Sequence, residues 1–439
     1  MNTSTTRHKN LVVVGSGPVG MVSALLLKEH FEQVTLLERR TEEDFLQAHG
    51  FTFPIVFSPA SIRILQQIGV WDAIHAERSE FFGVGIHQRV LGHELSFTSV
   101  REGVYSHWRN HVVAKLYEQV LAAGIPIHFE AQVEAIDFQN SVCREARLGD
   151  LPFDLLLGAD GSNSQTRRLL AQAHPHFPAD TFERIGLDHW YAYRVPSRGA
   201  MRERFAGGER HYASNVFLSN LAAYPSEKFR IVTTHMRQPE EEISILIKHD
   251  PAITPSRLKV LNDGYFGPLV GSRRDLDAAW QAGYAGRFDQ VQAPTFHLND
   301  VLLIGDAAHG LETAGDLINL GVTSAGCFRE VLGRHANIPA ALEEYDATAG
   351  AALRSYAEFS YRRSQEKIDF EVFSIEFAHR LGITKRHPTL WGIYDEDFEL
   401  VPYLRNYQRD IVKARSLVVG LVAGLITLAL LLGRRRTAT

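Results

Sequence analysis

The chain has 439 residues, with 46 Lys and Arg against 51 Asp and Glu and a net charge of -5. That length can bury a large core in more than one lobe, and that charge argues against a general nucleic-acid binder. Only Cys143 and Cys327 are present, with no CxxC pair and no Cys/His set at metal-ligand spacing, so reduced thiols and no metal site are expected.

The first forty residues read strand, helix, strand. The apolar run Leu11-Val12-Val13-Val14 enters Gly15-Ser16-Gly17-Pro18-Val19-Gly20. The first glycine permits a tight turn, the second lets backbone approach a pyrophosphate, and the third lets helix pack on strand. The helix N-terminus then offers its positive dipole end to the phosphates. A second run, Val34 to Leu37, ends in Glu38, 18 residues after Gly20. An acid there accepts hydrogen bonds from an adenosine ribose. The expected dinucleotide site is therefore Gly15, Gly17, Gly20 and Glu38, with Arg39 beside it.

From Pro59 to Ile74 the recurrence of Ile62, Leu65, Ile68 and Trp71 predicts a helix. Residues 82–98 alternate and contain glycine, which predicts strands. His111 to Ala123 predicts a second helix, with Val112, Leu116 and Val120 on one face. Residues 129–138 and 151–158 read as strands, the latter short and buried. Alternating segments between about 186 and 249 predict an antiparallel sheet in a separate lobe. Val301 to Ile304 returns to a buried strand, with a helical region following to about His335. Residues 340–412 read as helical, broken near Pro388 and Pro402.

The N-terminal apolar run is too short for a secretory signal. The C-terminus differs: Leu417 to Leu432 is uncharged and almost wholly apolar. Lys413 and Arg415 precede it, and Arg434, Arg435 and Arg436 follow. As a helix these residues reach about 24 Å, a little short of a hydrocarbon core of roughly 30 Å. Gly433 and snorkelling arginines close the gap. A transmembrane anchor is expected over 416–433, with membrane lipid as a partner and the catalytic domain on the cytoplasmic side.

Two further motifs are Gly158-Ala159-Asp160-Gly161-Ser162-Asn163-Ser164, followed by Arg167, and Gly305-Asp306-Ala307-Ala308-His309. With the opening glycine motif they stand in the order and at the separations of the class A FAD-dependent aromatic monooxygenases, which the chain resembles from about residue 10 to 345. The resemblance implies an α/β protein: a Rossmann-like FAD-binding domain, an inserted antiparallel-sheet substrate domain, a C-terminal helical region and the terminal membrane helix. Its expected divisions are FAD-binding parts at 1–80, 101–185 and 291–345, substrate-lobe strands at 81–100, a substrate domain at 186–290, helices at 346–412 and the anchor.

The resemblance also implies FAD as cofactor and NADH or NADPH as electron donor. Asp306, after Gly305, would take a hydrogen bond from the ribityl chain, and the helix it opens would face the flavin ring. Asp160, Gly161 and Arg167 would contact flavin or the nicotinamide route. Arg109 would lie near the flavin phosphates or ribityl chain, and His309 would pack rather than act as a base. The family usually continues with proline, Gly-Gln-Gly and Asn. Here Thr313-Ala314-Gly315-Asp316-Leu317-Ile318-Asn319 keeps only Gly315 and Asn319.

The layout is similar to that of kynurenine 3-monooxygenases, but Val84 stands where those enzymes carry the arginine that holds a substrate carboxylate. Phe53, Phe57, His87, Trp190 and Tyr193 are candidate pocket residues. Together these features imply a monooxygenase that hydroxylates or epoxidises a small lipophilic aromatic, such as a prenylated quinolone or quinone precursor. It would use dioxygen through a flavin C4a-hydroperoxide, with no catalytic side chain assigned. A flavin-dependent reductase of prenyl double bonds and a non-catalytic flavin-binding membrane protein remain as alternatives. Oligomeric state is not legible.

Overall fold

The computed structural model describes residues 7–47, 54–80, 83–90, 93–100, 103–174, 177, 180–182, 189–205, 214–219, 229–236, 240–287, 289–311, 316–364, 381–382 and 399–403, then scattered helical positions as far as 427. The strand His8–Val14 forms because its β-branched run can be buried on both faces. It pairs in parallel with Leu155–Gly158 on one side and Phe31–Leu37 on the other. The six-stranded sheet runs His297–Leu298, Val301–Leu303, Leu155–Gly158, His8–Val14, Phe31–Leu37, Ile127–His128. Only its first strand is antiparallel to its neighbour.

The helix Pro18–Leu27 covers this sheet and packs against the helix Asp316–Arg334. Glycine makes that approach possible, since a Cβ on Gly321 would lie 2.6 Å from the Val19 side chain. One contiguous core, from Leu11 to Ala414, fills both faces.

A second sheet has seven strands in the order Tyr284–Arg287, His189–Pro196, Glu242–His249, Phe229–Met236, Ser214–Ser219, Gly83–Val90, His93–Val100. All neighbours are antiparallel except Ser214–Ser219 with Gly83–Val90. One face of this sheet carries a separate core. Tyr193, Val195, Ile231, Ile243, Ile245 and Ile247 pack there against Leu258, Leu261 and Phe266 of Pro255–Phe266 and Leu276 of Arg273–Gln281.

Three local expectations change. The helix expected over Pro59 to Ile74 is two, Pro59–Gln67 and Trp71–His75. Gly69 between them has φ +73°, a left-handed conformation that ends a helix and that glycine adopts without strain. The helix expected after Gly305 is a single turn, Asp306–His309, because Gly310 leaves helical geometry. Residues 340–412 are helical at Ile338–Tyr345 and Ala351–Ser364, with a π-helical turn between them. Pro402 lies in a helical turn, whereas Pro388 falls outside the described residues.

The expected membrane-spanning helix is not found among the described residues. No helix among the described residues is long and apolar enough to cross a membrane. Within 416–433 the positions described, such as Val419–Leu421, are helical and, Leu417 apart, exposed, and residues 428–433 lie outside the described ones.

Candidate flavin and substrate site

Three glycine-centred turns converge at the C-terminal edge of the parallel sheet, where ligands bind in such folds. The first follows Val14. Gly15 has φ +98° and donates its N–H to the Leu37 carbonyl at 2.8 Å. A Cβ there would lie 2.6 Å from the Ala159 carbonyl oxygen, so the first and second turns are in backbone contact. A Cβ on Gly20 would lie 2.0 Å from the Gly15 carbonyl oxygen, which makes this glycine a packing requirement. Gly17, at the helix N-cap, differs: a Cβ there would meet nothing within 4 Å. The open backbone at Gly17 is where a pyrophosphate has room to approach.

Glu38 is 4% exposed at the end of the neighbouring strand. Its Oε2 accepts from the Ser16 N–H at 3.1 Å, and its Oε1 accepts from Arg40 Nε at 2.8 Å. Burial alone raises its pKa, but the Arg40 guanidinium and the backbone donors outweigh that and hold the carboxyl below its usual range. Arg39 is exposed. Arg40, which sequence reading missed, is the residue that grips the acid. No strand or helix period marks it, because only the turn after Leu37 folds it back.

The second turn carries Asp160, Gly161 and Arg167. Asp160 is occupied within its own segment. It accepts from the Thr166 N–H at 2.9 Å, the Thr166 hydroxyl at 3.1 Å and the Ser164 hydroxyl at 2.5 Å. It therefore fixes the start of the helix Gln165–Ala173. Gly161 has φ +80° and open space where a side chain would project. Arg167 is 4% exposed. It donates to the Ala307 carbonyl at 2.8 Å and the Ser162 carbonyl at 2.5 Å, tying the second turn to the third.

The third turn places Gly305 at φ +61° against Val19, with Asp306 as the first helical residue. No hydrogen bond reaches the Asp306 carboxylate from the described residues, and Arg109 interacts with it electrostatically. Burial raises the pKa of Asp306, and the positive charge of Arg109 opposes that rise. Arg109 opens the helix Arg109–Ala122; burial lowers its pKa, as does nearby Arg40. An acceptor without a donor among the described residues, near the half-buried Arg109 guanidinium and on the same sheet edge as the open backbone at Gly17, fits the hydroxyls and phosphates of FAD. His309 is buried, with both ring nitrogens unpartnered among the described residues, and burial pushes it down to about 4. Its ring packs 5.8 Å from that of Phe296.

Asn319 stands in the helix Asp316–Arg334, two residues before Gly321, where a Cβ would lie 3.6 Å from the Gly305 Cα. Asn319 is 1% exposed, accepts from the Ser58 N–H at 2.8 Å and donates to the Val56 carbonyl at 2.8 Å. It pins the helix Asp316–Arg334 to the segment 56–61. Gly315 and Phe53 lie outside the described residues.

The pocket candidates separate. Phe57 is 4% exposed and packs edge-on against Trp71 in the main core. Tyr193 is buried in the second core and hydrogen-bonds Asn262. His87 sits at a register position in line with Leu218, Ile231, Ile247 and Tyr191, the helix-covered face. Trp190 is on the opposite face, half-buried, with its indole against Gly286, where a Cβ would lie 2.2 Å away.

Fold and site together define a flavoprotein: a dinucleotide-binding parallel sheet coupled to an antiparallel sheet. The family model described as an FAD binding domain matches residues 9–187. Kynurenine 3-monooxygenase of Xanthomonas axonopodis pv. citri is 23% identical, covering 94% of this chain and 91% of its own. The enzyme of the same name from Christiangramia forsetii is 21% identical, covering 92% and 93%. Among solved structures, 2-methyl-3-hydroxypyridine-5-carboxylic acid oxygenase superposes with a TM-score of 0.66 at 18% identity, covering 82% of this chain and 92% of its own. Pseudomonas aeruginosa PqsL, in complex with 2-aminobenzoylacetate, gives 0.60 at 17%, covering 82% and 98%. The chain therefore carries an FAD binding domain over residues 9–187 and is similar along most of its length to FAD-dependent aromatic monooxygenases.

Proposed function

We propose that this protein uses NADH or NADPH and dioxygen to place one oxygen atom on a lipophilic aromatic substrate, by hydroxylation or epoxidation. A prenylated quinolone or quinone precursor is the substrate class that fits. The observation that carries this reading is the convergence of the three turns, at Gly15, Asp160 and Asp306, beside an antiparallel sheet that can cover a bound ring. The names of the relatives supply the acceptor type, since kynurenine and a hydroxypyridine carboxylic acid are both aromatic.

Bound FAD supplies the redox and oxygen chemistry. The protein's part is positioning. The helix Pro18–Leu27 and the backbone at Gly17 receive the pyrophosphate. Glu38, oriented by Arg40 and Ser16, receives the ribose. Asp306 receives a hydroxyl of the ribityl chain, with Arg109 balancing its charge. The buried seams around Asn319 and Arg167 keep the turns in register and exclude water.

The reading includes attachment to a lipid surface through the C-terminal segment, with the catalytic part on the cytoplasmic side. Its support is the uncharged stretch from Leu417 to Leu432 between basic residues, and the exposure of Val412, Val419 and Leu421 at 59%, 58% and 45%. Deleting residues 416–439 is expected to move the protein from the membrane pellet to the supernatant with its flavin bound. Full-length protein found wholly in the supernatant would exclude the attachment.

The activity is tested with full-length protein in mild detergent against prenylated quinolones and quinone precursors, with kynurenine as a control. NAD(P)H oxidation and oxygen uptake should rise together, with a product one oxygen atom heavier. A product two hydrogens heavier, without oxygen uptake, would make the protein a reductase instead.

A further inference from the structure

The face of the seven-stranded sheet opposite its helices is banded. Residues paired in register on neighbouring strands share a face. One row runs Ala192, Leu246, Val232, Phe217, Ile86, Phe97, all apolar. At about 4.8 Å per strand this band extends for ~24 Å. Two residues along each strand, the adjacent row is polar: Arg194, Ser244, Thr234. The row on the other side begins Trp190, Lys248, Arg230.

This face closes against the FAD-binding part. Ala192, Val232 and Trp108 are buried but join neither hydrophobic core. The Arg194 guanidinium lies over the Trp108 ring, 5.2 Å from its centroid. Trp108 immediately precedes Arg109, which faces Asp306. The banded face and the flavin site therefore share one wall.

Arg194 is also ion-paired through Nη1 with Glu242, at 3.2 Å, and its side chain is 44% exposed. Guanidinium carries five N–H donors in one plane. Stacking on Trp108 uses the flat face, and Glu242 takes one edge. Other donors remain for a ligand, and Ser244 and Thr234 stand in register with Arg194 on the neighbouring strands, a setting that suits a planar anion.

We propose that Arg194 is the specificity residue of this cleft, binding an ionised oxygen of the substrate while the ring and its apolar tail lie toward half-buried Leu246. The ligand class is an acidic lipophilic aromatic: a carboxylate, phenolate or enolate. Val84 stands at the far side of the same polar row, so Arg194 supplies from another strand a cation that Val84 does not. The inference rests on the reading of this cleft as the substrate site.

The test uses full-length FAD-loaded protein and two probes, 4-butylbenzoate and its methyl ester, with binding read from the change in bound-flavin absorbance. Wild type should bind the carboxylate at least tenfold tighter than the ester. Arg194→Gln should erase that ratio with ester affinity unchanged within twofold, and Arg194→Lys should keep part of it. Should Arg194→Gln lose its flavin, the ratio in Arg194→Lys against wild type decides. A wild-type ratio near one, binding of neither probe, or equal weakening of both probes in Arg194→Gln would overturn the proposal. If the ratio behaves as expected but no aromatic elicits oxygen uptake, the anion site stands and the oxygenase reading falls.

Discussion

Asp306 shows how one residue can serve cofactor binding against the stability of the empty protein. Its folded pKa is raised by burial, so the folded chain holds its proton more tightly than the unfolded chain. The sign follows: this carboxyl costs apoprotein stability as pH rises through its unfolded pKa, and the cost is complete above the folded one. Asp306→Asn should therefore raise the melting temperature of flavin-free protein at neutral pH, by about 2 °C. It should also weaken FAD binding by about tenfold, through the lost charge-assisted acceptor. Thermal scans with and without FAD check both directions; a fall in the apoprotein would remove Asp306 from the role given to it.

Two histidines carry a pH signature opposite in sign to that of Asp306, from the same cause. Burial pushes His107 down to about 3 and His309 down to about 4, so both stay neutral in the fold. The unfolded chain takes up their protons near pH 6.5. Their contribution is fully present above that value and is lost as pH falls toward 4, at about 1.4 kcal/mol per pH unit for each. His107 packs against the Phe57, Trp71 and His75 rings, so His107→Phe is a compatible replacement. Denaturant midpoints between pH 6.5 and 5 should show a slope reduced by about that amount; an unchanged slope would exclude His107 as a contributor. At this scale Gly15, Gly17, Gly20 and Glu38 were legible, because their chemistry depends on spacing along the chain. Arg40 and the self-contained hydrogen bonding of Asp160 were not, since both depend on how a turn folds back.

Between elements, the site is held by buried polar side chains rather than by apolar packing alone. Asn319 satisfies a backbone donor at Ser58 and a backbone acceptor at Val56. Asn319→Ala leaves both buried groups unpaired and should cost about 2–4 kcal/mol, read from urea unfolding. Asn319→Asp keeps the acceptor alone and should lie between. Arg167 joins the second and third turns, and Arg167→Met should speed FAD release by about tenfold with helix content unchanged. Stopped-flow flavin fluorescence measures this, and an unaltered release rate would mean that the turns keep their register without it. Apolar runs marked the parallel strands because both faces are buried. The break at Gly69 was hidden because the hydrophobic spacing continues through it.

Across the whole molecule, the cleft is made by two sheets whose relation no local pattern reveals. Alternation marked strand segments between about 186 and 249, but period two cannot say which face meets the helices Pro255–Phe266 and Arg273–Gln281. Tyr193 consequently reads as a pocket residue and is core, whereas Arg194, which the sequence did not single out, stacks on Trp108. The pairing of distant strands also puts 83–100 in the same sheet as 189–249, a relation set by register and not by sequence proximity.

Oxygen transfer is the central claim for the molecule as a unit. Full-length protein, NAD(P)H and a lipophilic acidic aromatic are incubated under oxygen-18 gas, and the product is weighed by mass spectrometry. The account predicts one heavy oxygen atom per product molecule, formed in step with NAD(P)H consumption. A product that carries oxygen from water, or none, while NAD(P)H is consumed in step with product formation, would contradict it.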